Sequence, residues 1–535
     1  MSNTVEETDV LVVGLGPAGL LACLLLGQKG YNVIGIDRWP TPYPLPRAVT
    51  FDHEIARILA SLGINSNNDP AINYHEDRYL WVNKDREILL EVDWESTAND
   101  GWRNRYWFDQ PDLEERLRGI VDSLPNVQMR QGFEINSFTQ DDNGVTADWH
   151  EVEVEGIIAK VKPGGSSGTV KAKYAIGADG ANSFVRRSVG YELTDLDFYY
   201  DWVVVDTTPA VMPIPGVDPN YLSKHFQICD PARPTTVVPG GPGHRRWEFM
   251  VLPGEDPQEI AKTENVWKLL EPWGLDPKKD KLDRAVAWRF QGKYLEKWNA
   301  GRAFMVGDAA HLMPPFAGEG MCAAFRDVFN LMWRLDLLLQ GKGDYKLIDQ
   351  WSDERREGAK WYIEFSVGLG RVICITDEKE AAERDAAMMA EYKANPRPID
   401  PHDALLGQGT WDASDNLAGK PSIQGLVAYQ GRTGLFDDTV GRGWFILSDV
   451  NAADAALTDA QAAHFAKAGG RVMTVGDRKS GAEVLDLNGS YRDWFASNKV
   501  SHVLVRPDYY VAGTAKDEAG LRSMFDRVLS SDLVK

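Results

Sequence analysis

The chain alternates between short, fully apolar runs and longer stretches in which apolar residues return every three or four positions. "DVLVVG" (Asp9–Gly14) is short, β-branched and apolar on both faces, which predicts a buried parallel strand. Leu20, Leu21, Leu24 and Leu25 then mark one face of a helix that Gly30 ends, and "YNVIGID" predicts a second strand closing on Asp37. "GRAFMV" reads as another buried strand. The helix after it carries Met321, Phe325, Val328, Met332, Leu335 and Leu339 at alternating steps of four and three, so it docks on a core. Between about 190 and 290, four strand-like runs ("DWVVVDTT", "KHFQICD", "RRWEFMVL", "AVAWRF") are separated by turn clusters such as "PGGPGH". Residues 371–425 are rich in charge, Pro and Gly and predict an irregular connecting region. Beyond it, "GWFILS", "GRVMTV" and "SHVLVRPDYYVAG" predict three strands with helical patterns between and after them.

Length divides this pattern into two or three domains, because 535 residues exceed one ordinary core. The formal net charge of −21 disfavours nucleic acid and anionic membrane as partners. The apolar run Val10–Gly27 is long enough to span a membrane, but Gly14, Gly16, Pro17 and Gly19 break it, and an acidic segment precedes it instead of a positive leader. Cys23, Cys229, Cys322 and Cys374 show no metal-ligand spacing, so no metal site is expected, and a reduced, cytoplasmic setting fits.

The turn after the first strand holds G-x-G-x-x-G as Gly14, Gly16 and Gly19, with Pro17 early in the following helix where its missing N–H costs nothing. Glycines let backbone approach a pyrophosphate, and the helix N-terminus stabilises its charge. Asp37, 18 residues past Gly19, stands near the interval expected for an acid that accepts ribose hydroxyls. This predicts a bound dinucleotide without distinguishing FAD from NAD(P). Prolines 40, 42, 44 and 46 then force an extended loop that delivers Arg47 to an amphipathic helix starting near Asp52.

Two further motifs follow in order. "YAIGADGANSFVRR" (Tyr174–Arg187) is a strand ending in Asp179-Gly180, with Ser183 and Arg186 behind it. "GDAAHLMPPFAGEGM" runs from Gly307 to Met321. With the first motif and the step Gln110-Pro111-Asp112-Leu113, they resemble the single-component flavin aromatic hydroxylases, class A flavoprotein monooxygenases. "PRAVTFDHE" and "AHLMPPFAGEGM" look closest to the branch of the phenylpropionate and phenol hydroxylases.

The resemblance implies an α/β chain: a Rossmann-type FAD domain (1–190 and 291–370) interleaved with a mostly antiparallel substrate sheet (191–290). After the connecting region, 426–535 resembles a thioredoxin-like C-terminal domain ending in R-P-D-x-Y-V (Arg506–Val511). No cysteine follows Cys374, so that domain has no thiol chemistry, and packing or a homodimer contact is its expected role. FAD is implied to lie on Gly14, Gly16, Pro17, Ala18, Gly19, Asp37 and Arg38, with Arg47, Gln110 and Asp179 beside it. Gly307, Asp308, Pro315, Gly318, Gly320 and Met321 would complete the bed. Asp308 would accept a hydrogen bond from the ribityl chain, and Pro314–Gly320 would wrap the isoalloxazine. The helix from Gly320 would aim its positive end at the flavin edge where charge accumulates. His311 is read as a structural residue orienting the turn, and Asp308/His311 is not an acid/base couple.

The implied reaction uses NADH or NADPH, bound transiently, to reduce FAD. Dioxygen then adds at flavin C4a, and the hydroperoxide so formed hydroxylates a phenol or hydroxyaryl acid ortho or para to its OH. Baeyer–Villiger oxidation or epoxidation on the same fold, a flavin-binding assembly protein and a flavin-free dehydrogenase are the rival readings. Asp52 is the first candidate for a base near the phenol, and a helix N-cap is the equal alternative. His53 beside it is read as a first-turn surface residue. Arg289 is a second catalytic candidate, with an ordinary exposed strand arginine as its alternative. Arg186 is expected to stabilise the fold.

Overall fold

Two periods of apolar residue produce two kinds of sheet in the computed structural model. It describes residues 4–43, 46–155, 158–212, 224–401, 406–452, 456–529 and 534; Pro44 of the proline loop lies outside them. The first sheet is built mainly of parallel strands around the apolar run Val10–Val13. Ala303–Met305, Ser167–Gly177, Thr4–Val13, Val33–Asp37 and Val127–Gln131 stand side by side in that order. Antiparallel Val145–Glu155 and Phe133–Gln140 extend the sheet past Ser167–Gly177. The run Val10–Gly27 divides as its glycines require, into a strand ending at Val13 and a helix Pro17–Gln28. That helix is buried from Ala18 to Gly27, not on one face only, because Gln110–Asp122 and Gly320–Leu339 pack beside it. No described helix is long and apolar enough to cross a membrane.

Alternating strands build the second sheet. Its order is His311–Leu312, Lys281–Tyr294, Thr194–Thr208, Arg245–Met250, Thr235–Pro239, His225–Cys229, Tyr79–Asn83 and Ile88–Val92. All pairings are antiparallel except His225–Cys229 with Tyr79–Asn83. The sheet therefore reaches outside 191–290, drawing two strands from the segment assigned to the FAD domain and its edge from the Gly307–Met321 motif. Period two sorts the side chains. Trp202, Val204, Val238, Met250 and Phe290 pack on one face, and Val203, Val205, Val237, Trp247 and Phe249 on the other.

The connecting region is less irregular than expected. Helix Lys346–Ile373 enters it, and a 17-residue helix, Glu378–Ala394, follows with Asp377 as its N-cap. Its alanines and glutamates favour helix over the irregular chain that its charge suggested; residues 402–405 lie outside the description. The last sheet orders as Arg432–Leu435, Leu426–Tyr429, Val484–Asp486, Arg471–Gly476, Phe445–Asp449, His502–Val505 and Val511–Ala515. Phe445–Asp449 is parallel to Arg471–Gly476 and antiparallel to His502–Val505. It is bolted to the rest of the chain through the R-P-D-x-Y-V ending. Arg506 donates from Nη1 and Nη2 to the two Glu354 oxygens at 2.9 Å each, Arg334 lies 2.8 Å from Glu354, and Tyr510 Oη donates to Glu54 at 2.8 Å.

Candidate active site

The glycine turn is tight because two side chains are missing. Gly14 holds φ +94°, and a Cβ there would strike the Ala178 carbonyl; a Cβ on Gly19 would strike the Gly14 carbonyl. Gly16 differs: among protein atoms, a Cβ there would meet only Arg47 Nη2, at 3.7 Å, and would project into a cleft. That cleft, about 490 Å³, is lined by Gly14, Gly16, Asp37, Arg38, Asp179 and Asp308 among others. It shares Gly16, Arg47, Gly180, Trp288 and Asp308 with a second cavity of about 270 Å³. Pro17, Ala18, Gln110, Gly307, Pro315, Gly318, Gly320 and Met321 line the second cavity, which the second sheet closes. All three motifs thus converge on one continuous space.

Each polar residue at this space is positioned by its local backbone. Asp37 Oδ2 accepts from Leu15 N at 2.6 Å and Oδ1 from Trp39 N at 2.8 Å, so it fixes the turn while facing the cleft. Gln110 Oε1 accepts from Arg47 N (2.9 Å) and Ala48 N (2.7 Å), and its Nε2 donates to Glu114, so it acts by pinning the Arg47 loop. Asp179 Oδ2 accepts from Phe184 N and Val185 N, while its Oδ1 is buried without a partner, and burial raises its pKa. Asp308 is open to the cavity and accepts no hydrogen bond among the described residues; dense protein around it raises its carboxyl. Arg186 ties the second motif to the third, donating to Ala309 O at 3.1 Å and Ala181 O at 2.8 Å.

His311 is structural. Its Nε2 lies 2.8 Å from Asp327 Oδ2, and Asp327 also accepts from Gly307 N and Arg355 Nε, both at 3.0 Å. The helix Gly320–Leu339 begins at the cavity wall with no side chain capping its first amides. The adjacent Glu319 carboxylate is held away by Arg105 and Arg326, at 2.9 Å each, so the positive end of the helix dipole faces the cavity.

Three expectations change. Asp52 is outside the cavity lining: its Oδ1 accepts from Ile55 N at 3.1 Å as the N-cap of His53–Ala60, and its Oδ2 pairs with Arg326. Burial alone would raise its carboxyl, but Arg326, with His53 and Arg105 behind it, holds it well below the usual carboxylate range. Of the two readings left open, the structure shows the N-cap. Arg289 is more than half exposed and forks onto Asp201, at 2.9 and 2.8 Å, on the face opposite the cavity. Its neighbour Trp288 takes the cavity side, as strand alternation dictates. His53 is buried, 2.9 Å from Asp100, instead of lying on the surface.

The cavity-lining residues that sequence reasoning missed are on the second sheet. His225, Gln227, Thr236, Arg246 and Glu248 line the cavity and are all buried. Alternation in "HFQIC", "TTVVP" and "RRWEFM" would have grouped each set on one face, but only strand pairing shows that the three faces meet.

The FAD-binding-domain family model matches residues 7–366, and an HcaD C-terminal domain model matches 419–530. A probable NADH-specific resorcinol 4-hydroxylase of Rhodococcus jostii (strain RHA1) is 33% identical, across 98% of this chain and 95% of that protein. The chain belongs to the FAD-dependent aromatic hydroxylases. The hydroxylase is also 29% identical to a 3-(3-hydroxy-phenyl)propionate/3-hydroxycinnamic acid hydroxylase of Shigella sonnei (strain Ss046), across 95% and 92% of the two chains. Its fold matches aklavinone-11 hydroxylase at TM-score 0.75 and 24% identity, covering 98% of this chain and 99% of that one. Its resident cofactor is FAD, which the glycine cradle and the bare Asp308 suit.

Proposed function

We propose that this enzyme hydroxylates a phenol ortho or para to its existing hydroxyl, with NADH as the preferred reductant and dioxygen as co-substrate. One observation carries the reading: the dinucleotide cleft opens without a break into a cavity of about 270 Å³ walled by the substrate sheet. The Gly307–Met321 side of that cavity would take the flavin ring, and the sheet side would face the substrate ring. The name of the Rhodococcus relative supports resorcinol as the first phenol to try and NADH over NADPH.

Bound FAD supplies the redox chemistry, accepting electrons from the nicotinamide and activating dioxygen. The chain's own residues hold and orient. Gly14, Gly16, Pro17, Ala18 and Gly19 would cradle the pyrophosphate, Asp37 and Arg38 would flank the adenosine end, and Asp179 and Asp308 would accept hydroxyl donors. Gly307, Pro315, Gly318, Gly320 and Met321 would bed the ring system. Arg47, pinned by Gln110, would stand where the two chambers join. Trp288 and Met313 would narrow the cavity and keep water from the reacting ring.

The C-terminal unit fits a thioredoxin-like fold, since its order Arg471–Gly476, Phe445–Asp449, His502–Val505, Val511–Ala515 puts a parallel pair beside an antiparallel one. Lacking cysteines, it would serve as packing and leave a homodimer contact open. The four cysteines of the chain, all outside this unit, are buried thiols, which fits a cytoplasmic setting. The purified protein should be yellow, and with NADH and labelled dioxygen it should place one labelled oxygen on resorcinol. NADH oxidation that no phenol stimulates, with no labelled product, would overturn the reading.

A further inference from the structure

The cavity wall carries one row of polar side chains that the FAD bed does not use. Gln227, Thr236 and Glu248 stand opposite one another on three adjacent antiparallel strands, and all three line the cavity. Thr236 Oγ1 donates to Gln227 Oε1 at 2.6 Å, so that pair is satisfied. Glu248 is only 6% exposed and accepts no hydrogen bond among the described residues. Its nearest guanidinium, Arg246, stands 3.9 Å away and is engaged elsewhere. Arg246 donates to Asp206 from Nε and Nη2, and to the carbonyls of Arg47 and Pro46. A buried carboxylate without a donor is unfavourable unless a ligand supplies one.

The cations of the wall point the same way. Among the described lining residues they are Arg246, already committed, and Arg47, at the mouth of the dinucleotide cleft and 3.8 Å from Glu114. Four of the five Arg246 N–H groups are already used, and Arg47 borders the dinucleotide cleft. A neutral ring bearing a hydroxyl, by contrast, brings the one donor that Glu248 lacks.

We propose that Glu248 receives the phenolic hydroxyl of the substrate and takes its proton, and that this acceptor, with no free cation beside it, selects neutral phenols and diphenols over aryl acids. The proposal rests on the hydroxylase reading above. The substrate O–H bond breaks, its electron pair remains on the ring oxygen, and the proton forms an O–H bond on Glu248. The electron-rich ring then gains one oxygen atom of dioxygen and loses the proton of the carbon attacked, NADH supplies the electrons that release the other oxygen atom as water, and Glu248 returns its proton to product or solvent.

The surroundings suit such a base. Burial pushes the Glu248 carboxyl up to about 7; Asp206 adds to this, while Arg246 and Arg284 oppose it. Thr236 and Gln227 on the neighbouring strands are neutral, Val204 on the other side is apolar, and burial keeps His225 uncharged. A carboxyl in that range matches a phenol better than an ordinary glutamate does. The base form is lost as pH falls, so hydroxylation should decline below about pH 7.

The test compares wild-type, Glu248→Gln and Glu248→Asp holoenzymes. Resorcinol and 3-(3-hydroxyphenyl)propionate are the probes, and product is measured per bound FAD from acid to alkaline pH. Glu248→Gln should lower hydroxylation by about 100-fold and abolish the acid limb. Glu248→Asp should keep the limb at a reduced rate, and the wild type should favour resorcinol in kcat/KM. Wild-type rate and limb in Glu248→Gln would overturn the base, and preference for the acid would overturn the selection. Should Glu248→Gln bind no FAD, the ultraviolet phenolate band of resorcinol bound to wild type decides. A midpoint near pH 7 supports the proposal, and a midpoint near that of free resorcinol overturns it. If wild type hydroxylates neither probe nor any other phenol, the hydroxylase reading itself has failed.

Discussion

Arg326 holds three carboxylates at once: Asp52, Glu54 at 2.9 Å and Glu319 at 2.9 Å, all inside the protein. Such a cluster is stable only as a set, because removing one member leaves buried charge uncompensated. Asp52→Ala should therefore cost about 3–5 kcal/mol of stability, including about 1 kcal/mol from the lost helix cap. Asp52→Asn, which keeps the capping oxygen, should cost less. Thermal unfolding with FAD bound measures both. A variant that loses hydroxylation at an unchanged Tm would restore Asp52 as a base. Sequence inspection left cap and base equally open because the deciding partner, Arg326, lies 274 residues away.

At the scale of elements, the two glycines of the first turn make separable predictions. Gly19 permits contact between helix and turn, so Gly19→Ala should disturb the fold itself. Gly16→Ala adds its methyl group to the cleft alone and should weaken FAD binding without lowering the melting point of the flavin-free protein. Flavin titration and calorimetry on both variants check this; full occupancy in Gly16→Ala would contradict the cradle. This turn was legible in the sequence because strand, glycines and helix are contiguous, and the backbone need is local. The Gln227–Thr236–Glu248 row was not. Each strand shows its alternation, but the register that aligns them is a property of pairing across 22 residues of chain. Arg289 failed for a related reason: period two places it or Trp288 at the cavity, and only the packed sheet chooses.

At the scale of the whole molecule, Arg506, Glu354, Arg334 and Asp508 form a dry cluster between the C-terminal unit and the long helices of the FAD domain. Burial would raise Glu354, but Arg334 and Arg506 outweigh it and hold the carboxyl below its ordinary value. The folded pKa is the lower one, so this stabilisation is complete above the unfolded value of 4.5 and fades as pH falls below it. Glu354→Ala should cost about 3–5 kcal/mol and let the C-terminal unit melt ahead of the flavin domain. A single unchanged transition would refute that role. The motif Arg506–Val511 was visible as a family likeness, whereas its partners at 334 and 354 were not, since nothing local to any of the three segments specifies the others.

Tyr510 reaches Glu54, Glu54 reaches Arg326, and Arg326 reaches Glu319 beside the first turn of the helix that begins at the cavity wall. The C-terminal unit is thus wired to the wall on which the flavin ring is proposed to lie. Rewriting a tyrosine twenty-five residues from the end should tint the yellow chromophore, and the colour of the protein becomes a gauge of how well its last domain is seated.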